Sequence, residues 1–165
     1  MNKEILIICR GGGDLATGIV HRLFRAGYQV LILETAEPAA IRRQVSFCEA
    51  VYEGTATVEG VTAERIYTAK KQAVEEVFQR GRIPLLVDPD GRSIEVLKPD
   101  VVVDAIIAKK NLGTYKEMAP LVIGIGPGFV AGKDVHLVVE SMRGHNLARI
   151  LETGSALANT GIPGN

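Results

Sequence analysis

The 165-residue chain carries 19 basic and 19 acidic residues, so its formal net charge is zero and no bulk electrostatic pull on nucleic acid is expected. An apolar content of 47%, spread over short runs between turns, excludes a disordered chain and suits one globular domain with a real core. The longest apolar runs, near residues 101–108 and 121–125, are far too short to span a membrane, and the N-terminus has no signal-peptide layout. The default expectation is a cytoplasmic protein with no membrane partner.

The chain opens with a strand, Ile5-Leu6-Ile7-Ile8-Cys9, followed by Arg10-Gly11-Gly12-Gly13-Asp14-Leu15-Ala16-Thr17-Gly18 and a helix to about residue 26. A second apolar run, residues 29–34, ends in Glu34. Gly11, Gly13 and Ala16 fit the G-x-G-x-x-G/A fingerprint of a dinucleotide-binding βαβ unit. Gly11 lets the chain turn sharply, Gly13 has no Cβ to hold a pyrophosphate away, and Ala16 lets the helix pack close to the strands. On this reading Gly11, Gly12, Gly13, Asp14, Ala16 and Thr17 offer backbone N–H groups to phosphate at the positive end of the helix. Asp14 is expected to act as a helix cap rather than as a phosphate contact, because like charges repel. Glu34 stands where an acid hydrogen-bonds a ribose 2′-OH and repels a 2′-phosphate.

The first helix places Leu15, Ile19, Leu23 and Phe24 on one face, expected to be its core face. Pro38 suits the first turn of a short helix. Arg42 and Arg43 offer cations to a ligand phosphate or to acids on a solvated face. Residues 45–67 predict short strands of an inserted hairpin region. A helix over 69–80 ends at Gly81, a strand follows over 83–87, and Asp88-Pro89-Asp90-Gly91 predicts a turn with 93–97 pairing back as a hairpin. The β-branched run over 101–107 reads as a central parallel strand, with Asp104 inside it and Lys109 as its expected partner or as a phosphate contact. Gly126 and Gly128 form a second glycine turn at the end of the strand over 120–125. Lys109, Arg143 and His145 complete a polar rim and are the weak candidates for catalysis. Residues 147–165 read as an extended tail. Neither a metal-ligand cluster nor a disulfide framework is expected from Cys9 and Cys48; Cys9 reads as a buried hydrophobe beside the turn and Cys48 as a loop residue open to solvent.

Residues 10–18, Arg42-Arg43-x-Val-Ser-Phe47, Gly124-x-Gly-Pro-Gly-Phe129, Glu140-x-x-Arg-Gly-His-Asn146 and Asn159-Thr-Gly-Ile-Pro-Gly164 together resemble the YqeB family, accessory proteins of selenium-dependent molybdenum hydroxylase systems. More distantly, the chain is similar to the Rossmann portion of XdhC-type maturation factors. The resemblance runs the whole length. Family members are usually longer, with the Asn159–Gly164 block leading into a further C-terminal domain that this chain would lack. The resemblance implies a role in maturing or loading a molybdenum cofactor, with the hydroxylase or its maturation machinery as partner. It supplies no catalytic residue.

The expected architecture is α/β, a three-layer Rossmann-like domain over residues 1–150 with a mostly parallel twisted sheet in the order 3-2-1-4-5. An extended segment, 151–165, follows. The leading function is an accessory protein that binds an NAD-like nucleotide or a molybdopterin-type cofactor. An NAD-dependent oxidoreductase using Lys109 or His145, and a non-catalytic assembly module with a vestigial loop, remain the alternatives, and homo-oligomerisation stays open.

Overall fold

A computed structural model describes residues 4–158. Nine strands form one mixed, mostly parallel sheet: β1 (Leu6–Arg10), β2 (Gln29–Glu34), β3 (Thr55–Val58), β4 (Val61–Ile66), β5 (Ile83–Val87), β6 (Val101–Asp104), β7 (Leu121–Ile125), β8 (Leu137–Val139) and β9 (Ile150–Leu151). Their order is β3-β4-β5-β2-β1-β6-β7-β8-β9. The anticipated 3-2-1-4-5 order appears inside it as the run β5-β2-β1-β6-β7. The pairs β3–β4 and β8–β9 are antiparallel, and every other neighbouring pair is parallel.

Strand alternation divides the core between the two sheet faces. Ile7 and Cys9 of β1, Val30 and Ile32 of β2, and Val103 of β6 pack with Ala16 and Val20 of α1 (Asp14–Arg25). On the other face, Ile8, Leu31, Leu33 and Val102 pack with Val74 and Val77 of α3 (Lys71–Gln79) and Ile94 of α4 (Ser93–Leu97). The remaining helix, α2 (Ala50–Glu53), sits on the α1 face through Ala50 and Val51. Among the described residues no helix is long and apolar enough to cross a membrane.

Several local expectations change. The inserted hairpin is real, but it occupies only Thr55–Ile66, turns at Glu59 and Gly60 with φ of 46° and 80°, and β4 joins the main sheet beside β5. Two positive φ values match the twist of a tight two-residue hairpin. Residues 43–53 are helical turns rather than strands. No helix starts at Pro38, whose carbonyl instead accepts the Tyr52 hydroxyl at 2.8 Å. Residues 93–97 are helical rather than the return strand of a hairpin, because the Asp88 carboxylate accepts the Arg92 amide, the Ser93 amide and the Ser93 hydroxyl. A carboxylate binding successive amides nucleates a turn of helix instead of a ladder. The tail contains β9, and the Asn159–Gly164 block lies outside the described residues.

Candidate functional site

The glycine turn leaves the carboxyl end of β1 beside the ends of β2, β5 and β6. Gly11 holds φ at +105°, and a Cβ there would lie 2.9 Å from the Ala105 carbonyl oxygen, so only glycine lets β1 pass this close to the end of β6. Gly13 has ordinary φ and nothing within 4 Å of where its Cβ would be. The space above the turn is open. It belongs to a cavity of about 440 Å³ whose walls include Gly11, Gly13, Asp14, Ala16, Glu34, Asp88 and Ile106.

Hydrogen bonding sorts the loop amides into used and free. The Gly11 amide donates to the Leu33 carbonyl at 2.8 Å, and the Gly12 amide to the Glu34 carboxylate at 2.8 Å. Thr17 makes the first intrahelical bond, to the Gly13 carbonyl. Gly11, Gly12 and Thr17 therefore shape the turn but have no amide to give a phosphate. Helix geometry leaves the amides of Gly13, Asp14, Leu15 and Ala16 without intrahelical acceptors. Leu15 is reached by the Asp14 side chain at 3.2 Å, so Asp14 folds back over the first turn rather than occupying the cap position, which Gly13 holds.

Glu34 does two things at once. One carboxylate oxygen accepts the Gly12 amide and the other the Thr35 amide at 2.7 Å. An ionised carboxylate has about four acceptor sites, so capacity remains for ligand hydroxyls. The Thr17 hydroxyl, buried, donates to the Gly12 carbonyl at 3.1 Å and accepts the Phe47 amide at 2.9 Å. The Cys48 amide reaches that same Gly12 carbonyl at 2.9 Å. The motif around Phe47 thus braces the glycine turn from behind.

Cys48 is buried in this brace, not open to solvent. Burial and the charge of Glu34 push its thiol up to about 11. Cys9 is fully buried, donates weakly to the Gly11 carbonyl at 3.5 Å, and is held well above the ordinary thiol range by burial first, then by Asp104 and Glu34. Neither is an activated nucleophile.

A buried polar relay forms the deep wall. Arg10, 2% exposed, donates to the Thr114 hydroxyl at 2.6 Å, the Pro89 carbonyl at 2.9 Å and the Leu112 carbonyl at 3.3 Å. Thr114 donates onward to Asp104 at 2.6 Å, and Asp104 also accepts the Ile106 amide at 3.1 Å. Lys109, expected beside Asp104, is instead exposed with φ of 66°, and the partner of Asp104 is a threonine ten residues along the chain. Asn111 presents that threonine by bonding both its amide and its carbonyl at 2.7 Å. The charged residue at the end of an apolar strand was the sequence signal for Arg10; Thr114 had none.

The residues expected to form a polar rim, Lys109, Gly126, Gly128, Arg143 and His145, are not among the cavity walls. Gly126 and Gly128 lie outside its walls: a Cβ at Gly126 would meet the Ser141 hydroxyl at 2.8 Å, and one at Gly128 the Lys110 backbone at 2.8 Å. Arg143 and His145 are exposed on the loop after β8. Glu140, buried, organises that loop by accepting the amides of Met142 at 3.0 Å and Leu157 at 2.9 Å. Arg42 and Arg43 are exposed. Among the described residues no group of three or more His, Cys, Asp or Glu is placed to share a metal ion.

No family model matches the chain, and no solved structure matches it. The chain is 50% identical over 160 residues to an uncharacterized protein, YqeB, of Escherichia coli (strain K12). That stretch is 97% of this chain and 29% of the relative, so the chain spans under a third of the length of the curated protein it matches. This similarity supports the resemblance to the YqeB family carried by the motifs.

Proposed function

We propose that the chain is a Rossmann-like accessory protein that binds a nucleotide or a molybdopterin-type cofactor and serves the maturation of a molybdenum hydroxylase, in systems that include the selenium-dependent ones. The observation that carries the binding reading is the cavity itself: the free amides at Gly13, Asp14 and Ala16 and the Glu34 carboxylate border the same space. Phosphate oxygens suit those amides at the positive end of α1. Ribose hydroxyls suit Glu34, which disfavours a 2′-phosphate. Nothing lies within 4 Å of where a Cβ of Gly13 would stand, which leaves room for a phosphate group to approach the backbone. The maturation role rests on the resemblance to the YqeB family.

This reading asks only for binding, orientation and release, which is what the site's residues offer. Its polar groups are backbone amides, the carboxylates of Asp14, Glu34 and Asp88, and the buried Arg10–Thr114–Asp104 relay. The test is calorimetric titration of the purified chain with NAD, NADP, ATP, CTP, molybdopterin and molybdopterin dinucleotides. Saturable binding of one ligand, lost in Gly13→Val, is the expected result. Absence of binding by all of them to the folded chain would overturn the reading, and substrate-dependent NADH formation would replace it with an oxidoreductase.

A further inference from the structure

The sheet has a second concavity, which shares Leu15 with the cavity at the glycine turn and is almost entirely apolar. It is a groove of about 590 Å³. Leu15, Ile19 and Leu23 of α1 form one wall; Ile7 of β1, Val103 of β6, and Ile123 and Ile125 of β7 lie along the floor; Leu147 stands on the opposite rim. Leu15 is 48% exposed and Leu147 53% exposed. The side of α1 that is buried is instead Ala16, Thr17 and Val20. Ile19, Leu23 and Phe24 of the apolar stripe are half-buried against the core, while Leu15 is exposed, and Leu15, Ile19 and Leu23 also wall the groove.

Topology explains why nothing in the sheet's own connections covers this groove. The connections that step from β1 toward β3 place α1, Phe47, Ala50 and Val51 on one face. Those that step the other way, from β4 through to β8, place α3, α4, Phe129, Ala131 and Val135 on the opposite face. Right-handed crossovers must behave in this way, since reversing the direction of travel reverses the face. The α1 face over β6, β7 and β8 can be closed only by an element from outside these crossovers. Among the described residues α1 and α2 cover this face over the other half of the sheet but no helix lies over β6–β8, which is unusual for a mostly parallel sheet.

We propose that this groove is the docking site for an amphipathic helix from the part of the longer polypeptide that lies outside the matched stretch in relatives such as the E. coli protein. More than two thirds of that relative's length lies there, ample for such a helix. The shape favours a helix over a second copy of this chain. A second copy offers the same concave surface, and the exposed side chains of its longest helices are polar apart from Leu15, which is itself a wall of the groove: Asp14, Arg22 and Arg25 on α1, and Lys71, Gln72, Glu75, Glu76 and Gln79 on α3. Two grooves do not fill each other. A helix with aliphatic residues at i, i+3, i+4 and i+7 would lie beside α1 and complete the second layer.

The experiment uses Ile123→Cys on the floor and Leu147→Cys on the rim, since both native thiols are buried and give a low background. Each variant is labelled with a thiol reagent in the 165-residue chain, and the matching substitutions are labelled in the full-length E. coli relative. The expected result is labelling slower by about tenfold or more in the full-length protein, as for any surface closed except by local opening. Equal rates in the two proteins would overturn the proposal. So would slow labelling of the 165-residue chain that speeds up on dilution, which would assign the groove to a second copy.

Discussion

The Glu34 carboxylate accepts the Gly12 amide at 2.8 Å, so the end of β2 is tied to the glycine turn before any ligand arrives. The same carboxylate binds the Thr35 amide. Glu34 is thus part of the turn's scaffold as well as a candidate ribose contact. Glu34→Ala is expected to cost about 1.5–3 kcal/mol in urea unfolding, the range for hydrogen bonds to a charged group. It should also weaken a bound dinucleotide by a similar amount. Lost affinity with unchanged stability would mean that the turn holds without this tie.

Gly11 and Gly13 separate shape from access. Gly13→Val should cost no more than about 1 kcal/mol, because its side chain enters open space and only the preference for glycine over valine at the cap of α1 is lost. Ligand binding should vanish. Gly11→Ala should do the reverse of that economy: a positive φ and a 2.9 Å approach to Ala105 predict a loss of more than about 2 kcal/mol. Circular dichroism melts of the two variants, run beside a titration, distinguish them. Similar melts for both would remove the argument that Gly11 is required by the backbone of β6.

The two thiols give a reactivity test and a pH test. Burial makes both slow to react with a thiol reagent in the native chain and fast after unfolding. Cys48 has its folded value raised from 9.0 to about 11, so the folded state keeps a proton that the unfolded chain loses. Its contribution is complete below pH 9 and is lost as pH rises toward 11. Urea unfolding across that window should show stability falling more steeply than in Cys48→Ala. A native thiol that reacts at once would place residue 48 outside the core.

How much of this was legible in the sequence depends on the distance over which each residue finds its partner. The glycine turn, α1 and Glu34 could be read because their constraints lie within one βαβ unit. The helix at 93–97 was not, because alternation of Ile94 and Val96 resembles a strand while the deciding bonds come from the Asp88 side chain. Asp104 demanded a partner on burial grounds, yet Thr114 carries no charge to advertise the pairing, and Arg10 comes from 94 residues away along the chain. Leu15, Ile19 and Leu23 have the spacing of a core stripe; only the topology reveals that the surface opposite them is open.

The Arg10–Thr114–Asp104 relay gives the last prediction. Thr114 accepts from Arg10 and donates to Asp104, so Thr114→Val leaves both buried partners short of a bond at once. The expected loss is about 3 kcal/mol, near what removing one member of a buried charged network costs. Burial raises the Asp104 carboxyl, against the lowering effects of Thr114, the Ile106 amide and Arg10. The folded state therefore holds this proton more tightly than the unfolded chain does. Its contribution is fully present below the unfolded value of about 3.9 and is lost as pH rises through the folded one. Asp104→Asn does not titrate, so the stability of the parent chain relative to this variant should rise on acidification toward pH 4. A relative stability that falls instead would mean that Asp104 is held chiefly as a carboxylate by the Arg10 charge, and that the relay acts as an ion pair bridged by a hydroxyl.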